Sequence, residues 1–455
     1  MKTITLPSDF KVLLENTILV RLLKNSAYLI SGNTLGDLFT MAALALAARK
    51  LGPELFGTFV LIQTYAFIIT QLLNFQSWQA LVKFGAEKLE QKKDNEFVEL
   101  VSLCFFLDIV VAMLSMLLAL LMVRIVASWY GWDQTVVTMA SVYSLTIIFN
   151  ITDTPNGILQ IFNKFKLLAI QNTAVSLFKL VSVLATFFFH GGLWHFLYIW
   201  MASGVIATLL LLVMSWKVLS ARFDQKINLL RLKPAIDKNS GILSFLTTTN
   251  LHGSIRLTSR ELDVMIVGAF LGPASAGMLK IVKQIASLYT RIASPLYNAI
   301  YPELAMLWAA HEVDKLTALI RQSFLVAFIP SILFWLGFIA VGKPVIIFFL
   351  GASYTPVFVT AVIYNLAVLI ALITFSFHPL MLAMGKASQS LLILVVSTVA
   401  YFPLLILLLK KMDMLGVAVA YFLFYIIWSL LMAAFLRCHL RQARFFGGRT
   451  GHSGG

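Results

Sequence analysis

The sequence predicts an all-α polytopic membrane protein, with about twelve spanning helices in two six-helix halves. Three observations carry this. Hydrophobic residues make up 60% of the chain and charged ones only 12%, with a mean hydropathy of +0.89, far from the balance of a soluble domain. Apolar runs near the ~20 residues needed to cross ~30 Å of hydrocarbon as a helix recur along the whole length. Finally, Leu-Gly-Pro with a Gly four residues beyond the Pro occurs twice, as "LGPELFG" at 51–57 and "LGPASAG" at 271–277, 220 positions apart.

The elements follow in order. The opening "MKTITLPSDFKVLLENTILVRLLKN", residues 1–25, has charges interrupting its apolar residues and no small-residue cleavage site. It reads as an amphipathic helix on the membrane surface rather than a cleaved signal. Spans are expected at 26–48, 53–76, 97–123, 136–162, 167–189 and 193–216, forming an N-lobe over 26–216. A basic linker, 217–241, separates them from spans at 242–270, 274–301, 317–341, 356–384, 388–409 and 414–436, a C-lobe over 242–436. A basic, Gly-rich tail occupies 437–455. In both Leu-Gly-Pro turns Gly permits a backbone that other residues resist, and Pro stops one helix and starts the next. The 220-residue offset also aligns Asp94 with Asp314. Later, "FNKFK" at 162–166 answers "MGKAS" at 384–388, each following a span with Pro155 or Pro379. Two parallel repeats related by a pseudo-twofold along the membrane normal account for this spacing.

Charge placement sets the orientation. With a cytoplasmic N-terminus, 23 Lys and Arg fall on inner segments and 6 on outer turns, so both termini face the cytoplasm. The net charge of +15 is thus a topology signal, and nucleic acid is not an expected partner. Cys104 and Cys438 suggest no disulfide framework, and no Cys/His cluster has metal-site spacing. "MGKAS" lacks the features of a phosphate-binding loop, so no nucleotide-driven cofactor chemistry is expected.

Charged residues inside spans normally face a cavity or a partner. The basic ones are Lys179, Arg256, Arg260, Lys280, Lys283 and Arg291; the acidic ones are Asp37, Asp108, Glu261 and Asp263. Arg256, Arg260 and Asp263 share one helix face, as do Lys280, Lys283 and Arg291. Counting depth from the turn between Leu271 and Gly272 puts Asp263 level with Lys280, an expected ion pair. It puts Arg260 level with Lys283, about 17 Å below the turn. Arg256, Arg260, Lys283, Arg291 and Lys179 are therefore candidate anion contacts lining a cavity, with structural pairing to Glu261 and helix-end snorkelling as the alternatives. Asp37 and Asp108 are candidates for carrying H+ or Na+, or for bonding neighbouring hydroxyls such as Thr34 or Thr40. Trp129, Trp132, Trp194 and Trp200 fit an interfacial belt.

The segment "NSAYLISGNTLGDLFTMAALALAARKLGPELFGTFVLIQTYAFII", 25–69, resembles the opening hairpin of bacterial Wzx-type polysaccharide flippases, where Ala-Arg-x-Leu-Gly-Pro-x-x-(Phe/Tyr)-Gly closes the first hairpin. "GILQIFNKFKLLAIQN", 157–172, and the repeat extend the likeness along the chain. That family belongs to the multidrug/oligosaccharidyl-lipid/polysaccharide exporter superfamily. The resemblance implies two six-helix lobes in a V around a central cavity and alternating access in the bacterial inner membrane. It also implies an undecaprenyl-diphosphate-linked oligosaccharide as cargo for O-antigen, capsule or exopolysaccharide synthesis. Membrane lipids, a polysaccharide polymerase and glycosyltransferases are the implied partners. Two rivals remain. A multidrug/cation antiporter of the same superfamily would favour acids in its cavity, which the basic excess opposes and Asp37 supports. A membrane glycosyltransferase or polymerase would need a catalytic outer loop, and no outer connection is long enough to build one.

Topology is directly testable. Reporter fusions at Lys88, Arg231 and Arg441 are expected to signal cytoplasm, and fusions at Pro53, Gly192 and Pro273 periplasm. A periplasmic signal at Arg231 would overturn both the span count and the repeat.

Overall fold

The computed structural model describes residues 17–189, 191–223, 236–239 and 241–450, with side chains described except at 17–33, 251–260, 290–299 and 442–450. The start of the expected surface helix, most of the 217–241 linker and the last residues of the tail lie outside these. Every regular element among the described residues is a helix. Helix α1 (Thr17–Leu73) is interrupted at Gly52, so two expected spans share one trace. It is followed by α2 (Ser77–Glu90), α3 (Asp94–Tyr130), α4 (Gln134–Ser144) with a 3-10 turn at Leu145–Phe149, α5 (Asp153–Ile161), α6 (Phe165–Phe188) and α7 (Leu193–Ser220). The remainder comprises α8 (Ile242–Leu271), α9 (Pro273–Ala309), α10 (Val313–Leu350), α11 (Val357–Ile373), α12 (Phe377–Ala383) and α13 (Ala387–Thr450), the last interrupted at Asp413. Eight continuous segments among the described residues are long and apolar enough to cross a membrane, and the two longest, Thr34–Glu90 and Ala387–Arg441, contain these interruptions.

Two features escaped the hydropathy pattern. The second span does not stop near residue 76. After a break in which Gln76 takes a left-handed backbone, α2 continues to Glu90, so Lys83 and Lys88 lie on a helix instead of a loop. Its charges end the apolar run, yet Ala80 and Leu81 are fully buried with Phe97 and Ile158. The fourth and tenth spans are also split, at 150–152 and 374–376, directly before the Pro155 and Pro379 half-helices. The repeat therefore extends to the position of its helix breaks.

Contacts divide the chain into two compact units. The first holds the chain up to Leu51 together with Leu61–Leu262; the second holds Gly52–Val60 and everything from Asp263 onward. This division differs from a boundary in the 217–241 linker, because the first half of α8 packs in the first unit. Ile242 and Leu246 join the core of Phe97 and Leu100, the Asn250 amide donates to the Asn74 carbonyl at 2.7 Å, and Thr249 Oγ1 donates to the Phe75 carbonyl at 3.1 Å. These side-chain donors satisfy carbonyls freed by the break before α2, where lipid offers no water. At the junction of α2, α3 and the segment before α8, Lys88 pairs with Glu96 at 2.9 Å and Lys238 with Glu99 at 2.8 Å.

The second unit is organised by the repeated motif. Gly52 (φ 73°, ψ 171°) and Gly272 (φ 84°, ψ 174°) adopt nearly the same conformation, in a region open essentially only to Gly. The two glycines four residues beyond each Pro then meet. A Cβ on Gly57 would stand 1.8 Å from the Pro273 carbonyl oxygen, and one on Gly277 would stand 2.9 Å from Gly57 Cα. Close backbone approach through small residues is how membrane helices gain packing energy where hydrophobic exclusion is absent. Phe56, fully buried, packs edge-on against Tyr354 beside this contact.

A matched pair of substitutions isolates the contact. Gly57→Ala forces two backbones apart and is expected to cost about 1–3 kcal/mol or more, as overpacking does. Gly337→Ala, at a helical position with open space around the new methyl, should be neutral or stabilising by roughly 0.4–1 kcal/mol. Thermal unfolding in detergent measures both, and equal melting temperatures would refute the close-packed reading.

Candidate functional site

The expected basic cluster is only partly visible. The side chains of Arg256, Arg260 and Arg291 lie outside the described residues, while Glu261 and Lys280 are half-buried on α8 and α9. Lys283, expected to stand opposite Arg260, instead forms an ion pair with Asp263, its Nζ 2.6 Å from Oδ1. Equal-depth counting fails here for a geometric reason. Helical side chains lean toward their own N-terminus, and in an antiparallel pair the two lean in opposite directions along the membrane. A long Lys on α9 thus reaches back toward the turn and meets Asp263 from one turn deeper. Asp263 is 1% exposed, and its Oδ1 also accepts from the Val264 backbone N–H at 2.8 Å.

Around this pair stands an aromatic group that sequence periodicity did not single out. Tyr364 stacks on Tyr421 at 4.0 Å between ring centroids, and Tyr401 packs edge-on to Tyr421. All three tyrosines lie in the neighbourhood of Asp263. Asn365, fully buried next to Tyr364, has no hydrogen-bond partner for either amide atom among the described residues.

In the first unit, Asp37 is half-buried and engaged. Thr40, one of the hydroxyls considered for Asp37, donates to Ser176 at 3.0 Å. A Cβ on the neighbouring Gly36 would press 2.8 Å from Asn172 Nδ2, so α1 and α6 are close-packed there.

Asp108 is buried and holds two half-helices at once. Its Oδ1 accepts from the Ser77 hydroxyl at the start of α2, and its Oδ2 accepts from the Thr154 backbone N–H at 2.8 Å, in the first turn of α5. A carboxylate at two converging helix N-termini is favoured by both sets of free N–H groups and by the helix dipoles. Asp153, half-buried in the first turn of α5, is bonded by Asn74 and was overlooked as an intramembrane acid. The signal available was "DTPNG": an acid followed by Pro155 two residues on marks a helix start inside an apolar run.

Lys179 holds its ammonium over the Trp200 ring, 5.1 Å from the centroid. Trp200 lines a cavity of about 290 Å³ with Gln63, Gln71, Tyr143, Asn150 and Thr152. Trp200 therefore faces a cavity with both polar and apolar walls, and Trp132 packs against Tyr65 and Tyr130, whereas Trp129 is 73% exposed. Aromatic faces, amides and hydroxyls with an adjoining cation suit a sugar carrying a phosphate.

These helices, broken spans and paired repeats define an all-helical, polytopic membrane-protein fold. The structure aligns over 91% of its length with 95% of an inward-facing multidrug resistance MATE family transporter of the MOP superfamily, with a TM-score of 0.71 at 12% identity. It aligns over 91% of its length with 87% of the lipid II flippase MurJ in an inward closed conformation, with a TM-score of 0.70 at 16% identity. Residues 22–308 match the model of the polysaccharide biosynthesis protein family, and the chain belongs to that family. It is also 28% identical over 333 residues to inner membrane protein YghQ of Escherichia coli K12, covering 73% of this chain and 93% of YghQ.

The ion pair gives a clean test. Asp263→Asn and Lys283→Gln each remove one half of this largely desolvated pair and are expected to lose up to about 3–5 kcal/mol of stability, whereas the double variant should recover most of it. Additive losses in the double variant would mean the two groups do not interact.

Proposed function

We propose that this protein is a secondary transporter that moves a polyprenyl-diphosphate-linked oligosaccharide from the cytoplasmic to the periplasmic leaflet of a bacterial inner membrane. It would act by alternating access, with both termini in the cytoplasm, during synthesis of a surface polysaccharide such as O-antigen, capsule or exopolysaccharide. The observation that carries this reading is the mixed polar and apolar cavity of the first unit, bounded by Trp200 with Lys179 above its ring. A cation over an aromatic wall can meet phosphate while the ring and the amides of Gln63 and Gln71 meet sugar. Membership of the polysaccharide biosynthesis family and a fold shared with the lipid II flippase MurJ support the choice of cargo. Arg256, Arg260 and Arg291 extend the candidate anion contacts from the second half, whereas Lys283 is committed to Asp263. Glycosyltransferases would supply the cargo and a polymerase consume it. H+ or Na+ are the candidate coupling ions, Asp37 and Asp108 their candidate carriers.

Deleting the gene should cause lipid-linked oligosaccharide to accumulate on the cytoplasmic leaflet, and complementation with Lys179→Gln should restore protein abundance but lower export by about tenfold, the loss of one charge-assisted contact. Normal export in the deletion strain, with drug resistance lost instead, would replace this reading with the multidrug antiporter.

A further inference from the structure

The acids of the first unit outnumber what the fold needs. Spans four and ten carry equivalent breaks, but they are closed with different chemistry. The break before α12 uses backbone bonds, a Thr374–Ser429 hydroxyl contact at 3.3 Å and a His378 Nδ1–Ser390 Oγ contact at 2.8 Å. No Asp or Glu occurs between Asp314 and Asp413, and the position 220 beyond Asp108 is Phe328. The break before α5 instead has two carboxylates, Asp108 and Asp153, on one small cavity. An acid pair is thus no requirement of the break itself.

That cavity is lined also by Thr70, Asn74, Asn150 and Ser115, and has about 10 Å³ of room for the centre of a water-sized particle, space for one. Ser115 is fully buried, and its Oγ has no hydrogen-bond partner among the described residues. No Lys, Arg or His among the described residues pairs with either acid. The nearby lysines are engaged elsewhere: Lys83 lies over the Phe84 and Phe245 rings, and Lys88 pairs with Glu96. The other titratable neighbour is Cys104, whose thiol donates to the Ser77 carbonyl at 3.9 Å.

Charge counting then fixes the missing partner. The converging N-termini of α2 and α5 each present roughly half a positive charge, together offsetting about one of the two carboxylates, Asp108, which they bond, and Asp153, in the first turn of α5. About one negative charge is thus left without a counter-charge among the described residues, in a poorly solvated site that membrane interiors do not tolerate uncompensated. We propose that the Asp108–Asp153–Ser115 cavity binds one monovalent cation, Na+ or a proton, with Asp153 as its principal charge partner. A divalent ion would overcompensate. Thr70 and Asn150 line both this cavity and the larger Trp200 cavity, so the two share a wall through which ion and cargo occupancy can be coupled. Binding stands apart from the transport reading; only the use of the ion for coupling rests on it.

The test uses purified full-length protein in detergent. Melting temperature is followed while Na+ is titrated against a constant-ionic-strength background of choline at pH 8, beside an infrared measurement of protonated carboxyl groups. For sodium, the wild type should gain stability logarithmically with Na+. Asp153→Asn should lose the gain, and Ser115→Ala, which removes a neutral oxygen donor, should need about tenfold more Na+. For a proton, Na+ should have no effect, and the wild type should show a carboxylic acid band that Asp153→Asn lacks. If Asp153→Asn does not fold, Ser115→Ala and the wild-type titration and band still decide. A wild type that ignores Na+ and shows no protonated carboxyl band overturns the proposal, whatever glycan export assays give.

Discussion

The backbone contact between Gly57 and Gly277 is the constraint on which the second unit depends. Both glycines follow a Gly-Pro turn of the same conformation, and neither can carry a Cβ without colliding with the other turn. A sequence that keeps the motif in both halves keeps the two turns interchangeable in shape, which a contact between repeats requires. Phe56, Tyr354 and the rest of the second unit's outer core pack around a point where no side chain intervenes.

Elsewhere the controlling constraint is the membrane's inability to hydrate a backbone. Wherever a span breaks, freed N–H and C=O groups need protein partners, and the two units answer differently. Asp108 serves two helix starts at once, Asn250 and Thr249 reach carbonyls before α2, and Thr208 Oγ1 donates to the Phe149 carbonyl at 2.6 Å. Across the equivalent break of the second unit, hydroxyls and an imidazole suffice. The first unit thereby concentrates its acids near the Trp200 cavity, and the second encloses its buried acid, Asp263, with Lys283 and tyrosines.

Much of this was legible in the sequence. Apolar length gives the helices, and the Leu-Gly-Pro repeat gives turns whose shared conformation the structure displays. Contacts between helices were not legible, because depth counting treats side chains as points on an axis. Lys283 leans a full turn to reach Asp263, and α2 hides a buried face beneath charges that end an apolar run. Asp153 was missed because its neighbours, Asn150, Thr152 and Asn156, read as a polar lapse in a span and outweigh the helix-start signal of an acid two residues before Pro155. That Asp108 holds two half-helices depends on Ser77 and Thr154, 77 residues apart in the chain, and no local pattern joins them.

The first-hairpin turn has a consequence for biogenesis. Gly52–Val60 leaves the ribosome well before its packing partners, which begin at Asp263. At about 5–20 residues per second, some 10–40 s of synthesis separate the two. Through that interval the newborn hairpin exposes a glycine-lined notch to lipid or to the insertion machinery, with nothing of its own to fill it. Quality control of this protein therefore has a defined window, closing only when the eighth span is inserted.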